Sequence, residues 1–317
     1  MPFDGVKIRP FREADAPRLV EWLAALAPAE DVYTSAVLIH QRRMLPARKR
    51  PLWLVAVLDG EPVGLGRDEP QIFGGRGQRR TWVGVHPDRR RRGIGSQLWH
   101  AIEAHARSLG GNLLRSWVVM DIPDGERFLL ARGFSRTERE LQSWVDPRGV
   151  DADEVDRARR NAEQNGFRVT TLRAVLARME PALRRVFLTT GADVPHHDQS
   201  AARVAPSTFR RVILWNPSLD QDCSTVVLNG SEPVSLCWLK GDREVGRYGV
   251  EFTGTAAAWR GRGLATLAKL VAYQLAAQAG VPWIGTANDE NNAQMLAVNR
   301  RLGHRPLPDL LVYERTA

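Results

Sequence analysis

Short apolar segments of β type alternate with segments of helical periodicity along the chain. Apolar residues recur at helical spacing from Leu98 to Leu109 and again from Leu267 to Leu275. Gly110 and Gly280 follow these two segments, at the place where a helix C-terminus favours glycine. This alternation predicts an α/β fold. Runs of β-branched and aromatic residues predict strands at 53–58, 81–85, 113–119, 224–228, 249–255 and 283–286.

The turns between these segments recur with a constant offset. Asp59-Gly60 and Asn229-Gly230 are strong hairpin signals, because both residue types tolerate a positive φ. Their glycines lie 170 residues apart, as do the glycines of two Arg/Gly-rich segments, 90–95 and 260–265. The later glycines Gly133 and Gly303 share the offset. Three unrelated signals with one offset indicate two copies of a single domain.

The predicted fold class is therefore α/β with two tandem domains, each a mixed, mostly antiparallel sheet flanked by helices. The first domain is expected at 1–147 and the second at 166–317. The linker is expected at 148–165, and its highly charged part, 151–164, predicts a solvated connecting helix. In each copy a last helix ends near the later glycine, and a last strand closes that copy.

The charge of the chain suggests several kinds of partner. The formal net charge is +9, and only four of the 45 basic residues are lysines. Nucleic acid, an acidic membrane surface and a phosphorylated small ligand all suit such a charge. A general bias toward arginine in the composition explains much of the excess without any partner. The phosphorylated ligand is favoured below, so we expect neither nucleic acid nor a membrane as partner.

Cysteine usage and apolar segments bear on location. Two cysteines in 317 residues do not form a disulfide framework and fit a reducing compartment. The first residues lack the apolar core of a signal peptide. The most apolar long stretch, 264–285, contains Lys269 and a Gly-Val-Pro turn, and predicts a buried helix rather than a membrane span. A cytoplasmic protein is expected.

Each Arg/Gly-rich segment follows a predicted strand and precedes a predicted helix. Small residues allow the backbone to approach a phosphate, and the first N–H groups of the helix point at the anion. Neighbouring arginines can add bidentate contacts. The candidate phosphate-binding residues are Arg90, Arg91, Arg92, Gly93, Ile94, Gly95 and Ser96 in the first copy, and Arg260, Gly261, Arg262, Gly263, Leu264, Ala265 and Thr266 in the second.

These segments carry a resemblance to a known family. The pattern Arg90-x-x-Gly93-x-Gly95 after a strand resembles the acetyl-CoA signature of the GNAT superfamily of N-acetyltransferases, and Arg260-x-x-Gly263-x-Ala265 resembles its alanine form. Arg132-Gly133-Phe134 is similar to the closing Gly-Phe of the family. The second copy is also similar to the C-terminal halves of tandem bacterial enzymes such as mycothiol synthase, through Thr286-x-Asn288, Asn292-x-x-Met295 and Asn299-x-x-Leu302-Gly303.

The resemblance implies acetyl-CoA as cofactor and direct transfer of its acetyl group to a primary amine. The cofactor arm would lie along the central strand, at Val83 and Val85 in one copy and at Thr253 and Thr255 in the other. Backbone N–H groups there would hold the oxyanion. Asn288 and Asn292 are expected to contact the cofactor in the second copy.

A general base is needed because the amine must be neutral to attack. Glu251 is the candidate, on the same strand face as Thr253 and Thr255 by simple alternation. The alternative is a solvent-facing or salt-bridged glutamate. The first copy has no acidic residue between Thr81 and Val85.

The general acid of the family, a tyrosine four residues before the closing glycine, is absent from both copies. Leu129 and Asn299 stand at that position. Asn299 could position a water, or the thiolate could leave unassisted. Only the second copy has an acidic residue on the central strand and Asn292, where the first copy has a Pro/Gly-interrupted segment. We therefore expect the second copy to be catalytic, and the first to be degenerate but still able to bind the cofactor.

Several choices stay open at this stage. The acceptor is a small-molecule or protein amine, and segments 26–50 and 189–206 are expected to select it. Segment 193–198 contains two histidines that suit an acceptor-side loop better than a metal site, so no metal is expected. A monomer, with the two copies as an internal pseudo-dimer, and a homodimer both remain possible. A non-catalytic acyl-CoA-binding module is the alternative function.

Overall fold

The computed structural model describes residues 5–73, 75, 77–193 and 204–316. The strands are β1 (Lys7–Pro10), β2 (Leu52–Leu58), β3 (Glu61–Pro70), β4 (Gln78–Val85), β5 (Leu113–Val119), β6 (Ser135–Val145), β7 (Phe167–Thr171), β8 (Leu219–Asn229), β9 (Glu232–Asp242), β10 (Arg247–Thr255), β11 (Ile284–Asp289), β12 (Arg305–Pro306) and β13 (Leu310–Thr316). The α-helices are α1 (Ala16–Leu23), α2 (Ser35–Met44), α3 (Ile94–Ser108), α4 (Pro123–Leu130), α5 (Ala152–Gln164), α6 (Leu172–Gly191), α7 (Pro206–Phe209), α8 (Leu264–Gln278) and α9 (Ala293–Arg301). Among the described helices, none has the length and apolar character needed to cross a bilayer.

The chain forms two compact units, and neither is a continuous stretch of sequence. The first unit contains residues 1–27, 33–139 and 308–317, and the second contains residues 28–32 and 140–307. These bounds differ from the predicted ranges 1–147, 148–165 and 166–317 in four ways. The last strand belongs to the first unit, while residues 28–32, residues 140–147 and the predicted linker belong to the second.

The first unit is a mixed sheet in the order β1-β2-β3-β4-β5-β13. All neighbours are antiparallel except β4 and β5, which are parallel. The hairpin from β2 to β3 turns at Asp59 and Gly60, with φ of 53° and 86°. Helix α3 covers one face, with Leu98 fully buried, and α1 and α2 cover the other, with Leu19 fully buried. The predicted mixed, mostly antiparallel sheet is confirmed.

The second unit has the equivalent sheet, in the order β7-β8-β9-β10-β11-β6. The strand pair β10–β11 is parallel and the others are antiparallel. Helix α8 covers one face with a continuous apolar core. On the opposite face, Phe187 of α6 stacks on Trp238 of β9, with ring centroids 5.3 Å apart. The predicted connecting helix forms as α5, but it is not solvated all round, because Val155 and Ala162 are buried in the α8 core.

Each sheet is closed by the strand that ends the other copy. Strand β6, which ends the first copy, pairs through its residues 140–145 with β11 of the second unit. Strand β13, which ends the second copy, pairs with β5 of the first unit over its whole length. The expectation that each last strand closes its own copy is therefore wrong. The alternation of hydrophobic residues specifies a strand and its buried face. It does not specify which of the two equivalent sheet edges the strand pairs with.

The segment Pro28–Val32 is pressed flat against the sheet of the second unit. The backbone N–H of Ala29 donates to the Gln142 side chain at 2.5 Å. An ideal Cβ on Gly249 would lie 1.9 Å from the carbonyl oxygen of Glu30, and one on Gly285 would lie 2.2 Å from that of Ala29. Both distances are far below van der Waals contact. The two glycines are therefore required for this segment to reach the strands.

We predict that Gly249→Ala destabilises the protein by about 1–3 kcal/mol, because the added methyl group must displace backbone rather than a flexible side chain. Chemical denaturation measures this change. Gly149→Ala is the matched control, since a Cβ there meets nothing within 4 Å and the backbone has no positive φ. Equal stability of the two variants would contradict the close approach of Glu30 to the strand.

Candidate cofactor and active sites

A fork between two parallel strands opens in the first unit. Strands β4 and β5 pair at Gln78–Leu113, Arg79–Leu114 and Arg80–Arg115. The pairing stops there within the described residues, although β4 continues to Val85 and β5 to Val119. The free backbone edges beyond the last pair can accept an extended ligand as an added strand.

The second unit has the same fork, and it opens after fewer residues. Strands β10 and β11 pair at Tyr248–Ile284 and Gly249–Gly285, and both strands then continue without a further pair in the described chain. Thr253 and Thr255 lie on β10 beyond this point. The predicted cofactor strands are therefore the inner walls of two forks.

Each fork leads to a helix that begins with a left-handed glycine. Gly93 precedes α3 with φ of 77°, and Gly263 precedes α8 with φ of 74°. The first N–H groups of each helix have no partner within the helix and point out of its N-terminus. An ideal Cβ on either glycine would meet nothing within 4 Å, so the approach to these N–H groups is open.

The first arginine of each loop braces the loop against the preceding strand. The Nε–H of Arg90 donates to the carbonyl of Val85 at 3.3 Å, and that of Arg260 donates to the carbonyl of Thr255 at 3.0 Å. The same contact in both units explains why this arginine starts the repeated pattern. The remaining nitrogens of each guanidinium are left for other partners, and Arg260 also pairs with Asp193.

The cavity of the first unit has a volume of about 390 Å³ and joins the fork to the loop. The lining also contains aromatic and polar residues that were not predicted from the sequence, namely Trp82, Ser116, Trp117 and Phe128. Arg92, which was predicted, is not part of the lining. The predicted cofactor residues on its wall are Val83, Val85, Arg90, Arg91, Gly93, Ile94, Gly95 and Ser96.

The cavity of the second unit has a volume of about 490 Å³. Arg262 instead lines a neighbouring cavity beside α5, together with Arg157 and Arg301. Asn288 is not part of the wall either, but accepts a hydrogen bond from Asn299. The predicted cofactor residues on its wall are Thr253, Thr255, Arg260, Gly261, Gly263, Leu264, Ala265, Thr266 and Asn292.

The residues present fit a ligand with an extended amide-bearing arm and a diphosphate. Each fork offers unpaired strand backbone to the arm, and each helix start offers N–H groups and arginine to the phosphates. Both cavities fall within the size range of ordinary cofactor sites. The geometry therefore suits the predicted cofactor in both units.

The face of the first unit opposite α3 is filled by aromatic rings. Trp82 and Trp117 stack with centroids 6.1 Å apart, one from each arm of the fork. The buried guanidinium of Arg67 lies 5.0 Å from the centre of Trp82 and 5.2 Å from that of Trp53. These contacts leave that face packed rather than open. Thr81 lies two residues before Val83 on β4, so the two side chains share the face toward α3. Thr81 is fully buried.

A β-bulge in the second unit changes the face on which Glu251 lies. Val250 pairs with Leu239 and Phe252 pairs with Trp238, so Glu251 is the extra residue. Glu251 contacts Lys240, whereas Thr253 contacts Cys237 three residues earlier on β9. The expectation that Glu251 shares a face with Thr253 and Thr255 is wrong, because an inserted residue breaks the alternation. Glu251 lies on the face that carries α6 and segment 28–32.

Glu251 belongs to a charged cluster on that face. The Lys240 ammonium lies 3.0 Å from Glu251 and 2.9 Å from Asp31. Burial lowers the pKa of Lys240, but the carboxylates of Asp31, Glu251 and Glu30 outweigh it and raise this pKa overall. The Oε2 atom of Glu30 is shielded from solvent and has no hydrogen-bond partner among the described residues. Burial, with the charges of Asp31 and Glu140, raises the pKa of Glu30 to about 8.

Asn299 lies in a buried polar chain behind the second cavity. Its carbonyl oxygen accepts a hydrogen bond from Lys269 at 2.5 Å, and its amide donates to Asn288 at 2.6 Å. Asn299 is therefore held by protein groups on both sides. The histidines at 196 and 197 lie outside the described residues.

Comparison with known proteins assigns the first copy. Residues 16–134 match the model of the acetyltransferase (GNAT) family. This part of the chain is similar to that family. The family consists of acetyltransferases that use acetyl-CoA, which is the ligand that the geometry of the loop and fork suits. A search of curated proteins finds no significant match.

Solved structures extend the likeness to the whole chain at the level of the fold. A GCN5-related N-acetyltransferase from Sphaerobacter thermophilus has a TM-score of 0.72 and 16% identity, covering 99% of this chain and 96% of that one. A tandem GNAT protein from the clavulanic acid biosynthesis pathway has the same TM-score and 21% identity, covering 98% of each chain. A protein from Pyrococcus horikoshii described as a putative acetyltransferase has a TM-score of 0.58 and 14% identity, covering 99% and 90%. The chain therefore has a tandem GNAT fold.

We predict that Glu30→Gln stabilises the protein increasingly as pH rises. The pKa of Glu30 is raised from 4.5 to about 8 in the folded protein. The native protein is therefore progressively destabilised by this carboxyl as pH rises from the unfolded pKa through the folded one, and the glutamine variant is not. Thermal unfolding between pH 5 and pH 9, a range set about these values, measures the difference between variant and native protein. The same substitution at the exposed Glu244, Glu244→Gln, is the control. A pH-independent effect of Glu30→Gln would contradict the raised pKa.

Proposed function

We propose that this GNAT protein is an acetyl-CoA-dependent N-acetyltransferase whose second unit transfers the acetyl group directly to a primary amine. The observation that carries the proposal is the bulge at Glu251. The bulge places a carboxylate just after the last residue of β10 that pairs with β11, on the face opposite α8. The first unit has the buried Thr81 at the equivalent position of its central strand. The two units thus share the cofactor scaffold and differ where a base is required.

The loop residues of both units would hold the diphosphate of acetyl-CoA, and β4 and β10 would pair with its arm. The thioester supplies an activated acetyl group. The N–H groups of β10 near Thr253 and Thr255 would stabilise the oxyanion in the low-dielectric fork. Asn292 lines the same cavity, where it would contact the arm of the cofactor. Asn288 would not contact the cofactor directly, because its side-chain oxygen accepts a hydrogen bond from Asn299.

Glu251 would take the proton of the amine, directly or through a water. Its contact with Lys240, at 3.0 Å, keeps the carboxylate in one position. Asp31 shares the charge of Lys240, so Glu251 does not neutralise it alone. The acceptor would approach from the face of α6 and segment 28–32, because α8 covers the other face.

The first unit supports a second, narrower function. Its cavity and loop suit acyl-CoA, but Trp82, Trp117 and Arg67 fill the face where an amine would approach. We propose that this unit binds the cofactor without transferring its acetyl group. A binding role for the whole chain is the alternative that loss of all turnover would favour.

The acceptor is proposed to be a primary amine of a small molecule or a protein, with neither nucleic acid nor a membrane as partner. Cys223 and Cys237 are free, buried thiols, which supports the proposed cytoplasmic location. A monomer and a homodimer both suit a chain with two complete forks.

We predict that the protein binds two equivalents of CoA and that each of Gly93→Ala and Gly263→Ala removes one of them. The added methyl group occupies the space through which a phosphate reaches the helix N–H groups. Isothermal titration calorimetry gives the stoichiometry. Gly110→Ala and Gly280→Ala are matched controls, because they bring the same positive-φ strain to the other ends of α3 and α8. Two bound equivalents in both loop variants would contradict the site assignment.

We predict that Glu251→Gln lowers kcat about 100-fold or more while two equivalents of CoA still bind, since general-base catalysis contributes about that much. The loss should shrink at alkaline pH, where solvent deprotonates the amine. Release of CoA thiol from acetyl-CoA with a library of amines measures the rate. Glu244→Gln, an exposed glutamate of the same unit, is the control.

Two outcomes would argue against this assignment. An undiminished rate in Glu251→Gln, together with loss of rate in Gly93→Ala, would make the first unit the catalytic one. Absence of turnover with every amine, while two equivalents of CoA bind, would favour the binding role.

A further inference from the structure

A lysine is fully buried in the core of the second unit. Lys269 lies in the middle of α8 and has no solvent exposure. The described part of the chain provides it with no carboxylate partner. The groups that face it are the Asn299 amide at 2.5 Å, the Met295 sulfur at 3.9 Å and the ring of Tyr273 at 5.8 Å.

The remaining titratable groups near Lys269 do not compensate its charge. Cys237 of β9 and His304, which follows α9, are the others that interact with it electrostatically. Burial raises the pKa of Cys237 and lowers that of His304 to about 3, so both are neutral near pH 7. Burial also lowers the pKa of Lys269, to about 8. The ammonium form therefore predominates at neutral pH and disappears at moderately alkaline pH.

Lys269 lies one layer of side chains behind the wall of the proposed catalytic cavity. Met295 lines that cavity, and its sulfur contacts Lys269. Thr253 lines it from the opposite side and donates to Cys237, the neighbour of Lys269. Through Asn299 the lysine reaches Asn288, at the opposing strand of the fork. A charge at this depth acts on the cavity with little screening.

This lysine is costly to the fold. An uncompensated buried ammonium destabilises the folded state, whereas an apolar side chain of similar length would not. Beyond Asn299, Tyr273 and His304, the α8 core around it is apolar, and Met295 is already in contact with the site. Packing alone therefore favours methionine rather than lysine at this position, so its charge calls for a functional explanation.

We propose that Lys269 is a positioning residue whose positive charge, acting through Asn299, stabilises the thiolate that leaves when the second unit transfers its acetyl group. The inference rests on the proposed function of that unit. It assigns to a buried cation the task that neither Leu129 nor Asn299 can perform as a proton donor.

The step balances without a proton from the protein at the sulfur. The amine nitrogen forms a bond to the acetyl carbon, and its proton goes to Glu251. The carbon–sulfur bond breaks, and its electron pair stays on sulfur. Lys269 keeps its proton, and the thiolate leaves as an anion that solvent protonates later. A thiol ionises near pH 8.5 in water, so a nearby positive charge suffices to make it a good leaving group.

The test compares native protein with Lys269→Met. We expect kcat to fall about tenfold or more, with the KM for acetyl-CoA unchanged within about twofold, because the charge acts only as negative charge develops on sulfur. The decline of the native rate above pH 8, expected from the pKa of Lys269, should vanish in the variant. Its thermal stability should equal or exceed that of the native protein.

Tyr273→Phe is the matched control. It removes a hydroxyl from the same helix and the same core without changing the charge. Its rate and pH profile should stay those of the native protein. A rate loss of similar size in both variants would reduce Lys269 to a structural role and overturn the proposal.

A second measurement does not depend on turnover. The thiolate of bound CoA absorbs in the ultraviolet, and its titration gives the pKa of the thiol. We expect this pKa to be lower in native protein than in Lys269→Met, and the contribution of the first unit is the same in both. Equal titration curves overturn the inference even if Glu251→Gln confirms catalysis. Different curves support it even if no amine is acetylated.

Discussion

The structure depends on two parallel strand pairs that separate soon after they form. In each unit the backbone hydrogen bonds between the two strands stop after two or three residues, and the strands then diverge around a cavity. The repeated Arg/Gly segments lie at the open end of these strand pairs. The arginine at the start of the loop fixes the end of the inner strand, and the glycine at the helix start aims free N–H groups toward the opening.

The two units share one scaffold and differ on the central strand of the sheet. A single extra residue on β10 turns Glu251 away from the face of the sheet that α8 covers. On the opposite face, Glu251 contacts Lys240, which also contacts Asp31. On β4 the register is continuous, and Thr81 stays buried. On the face opposite α3, the first unit has the stacked rings of Trp82 and Trp117, which line the cavity of the fork.

Much of the scaffold could be predicted from sequence because it rests on local signals. The hairpin turns, the helix ends and the Arg/Gly loops each need particular residues at particular positions, and these residues can be read directly. The position of Glu251 could not be predicted, because a bulge is a property of the pairing between two strands. Lys269 was missed because, in a pattern of apolar spacing, a lysine counts only as a break. Its partners Asn299 and Met295 come from another helix.

The segment 28–32 was missed for a related reason. Its contact with the second unit depends on Gly249 and Gly285, more than 200 residues along the chain, and no local pattern links them. The same holds for the closing strands, whose alternation is clear but whose partners are not. Long-range choices of this kind are fixed by shape and by competition between equivalent edges, which a single sequence does not display.

The exchange of closing strands also governs when the protein can fold during synthesis. The first sheet includes β13, and its Arg115 forms an ion pair with Glu314, 199 residues later. The nascent first unit therefore stays without an edge strand while the entire second copy is translated. Until then its fifth strand presents an open edge. A gene cut between the repeats would therefore encode two sheets that each lack the closing strand contributed by the other copy.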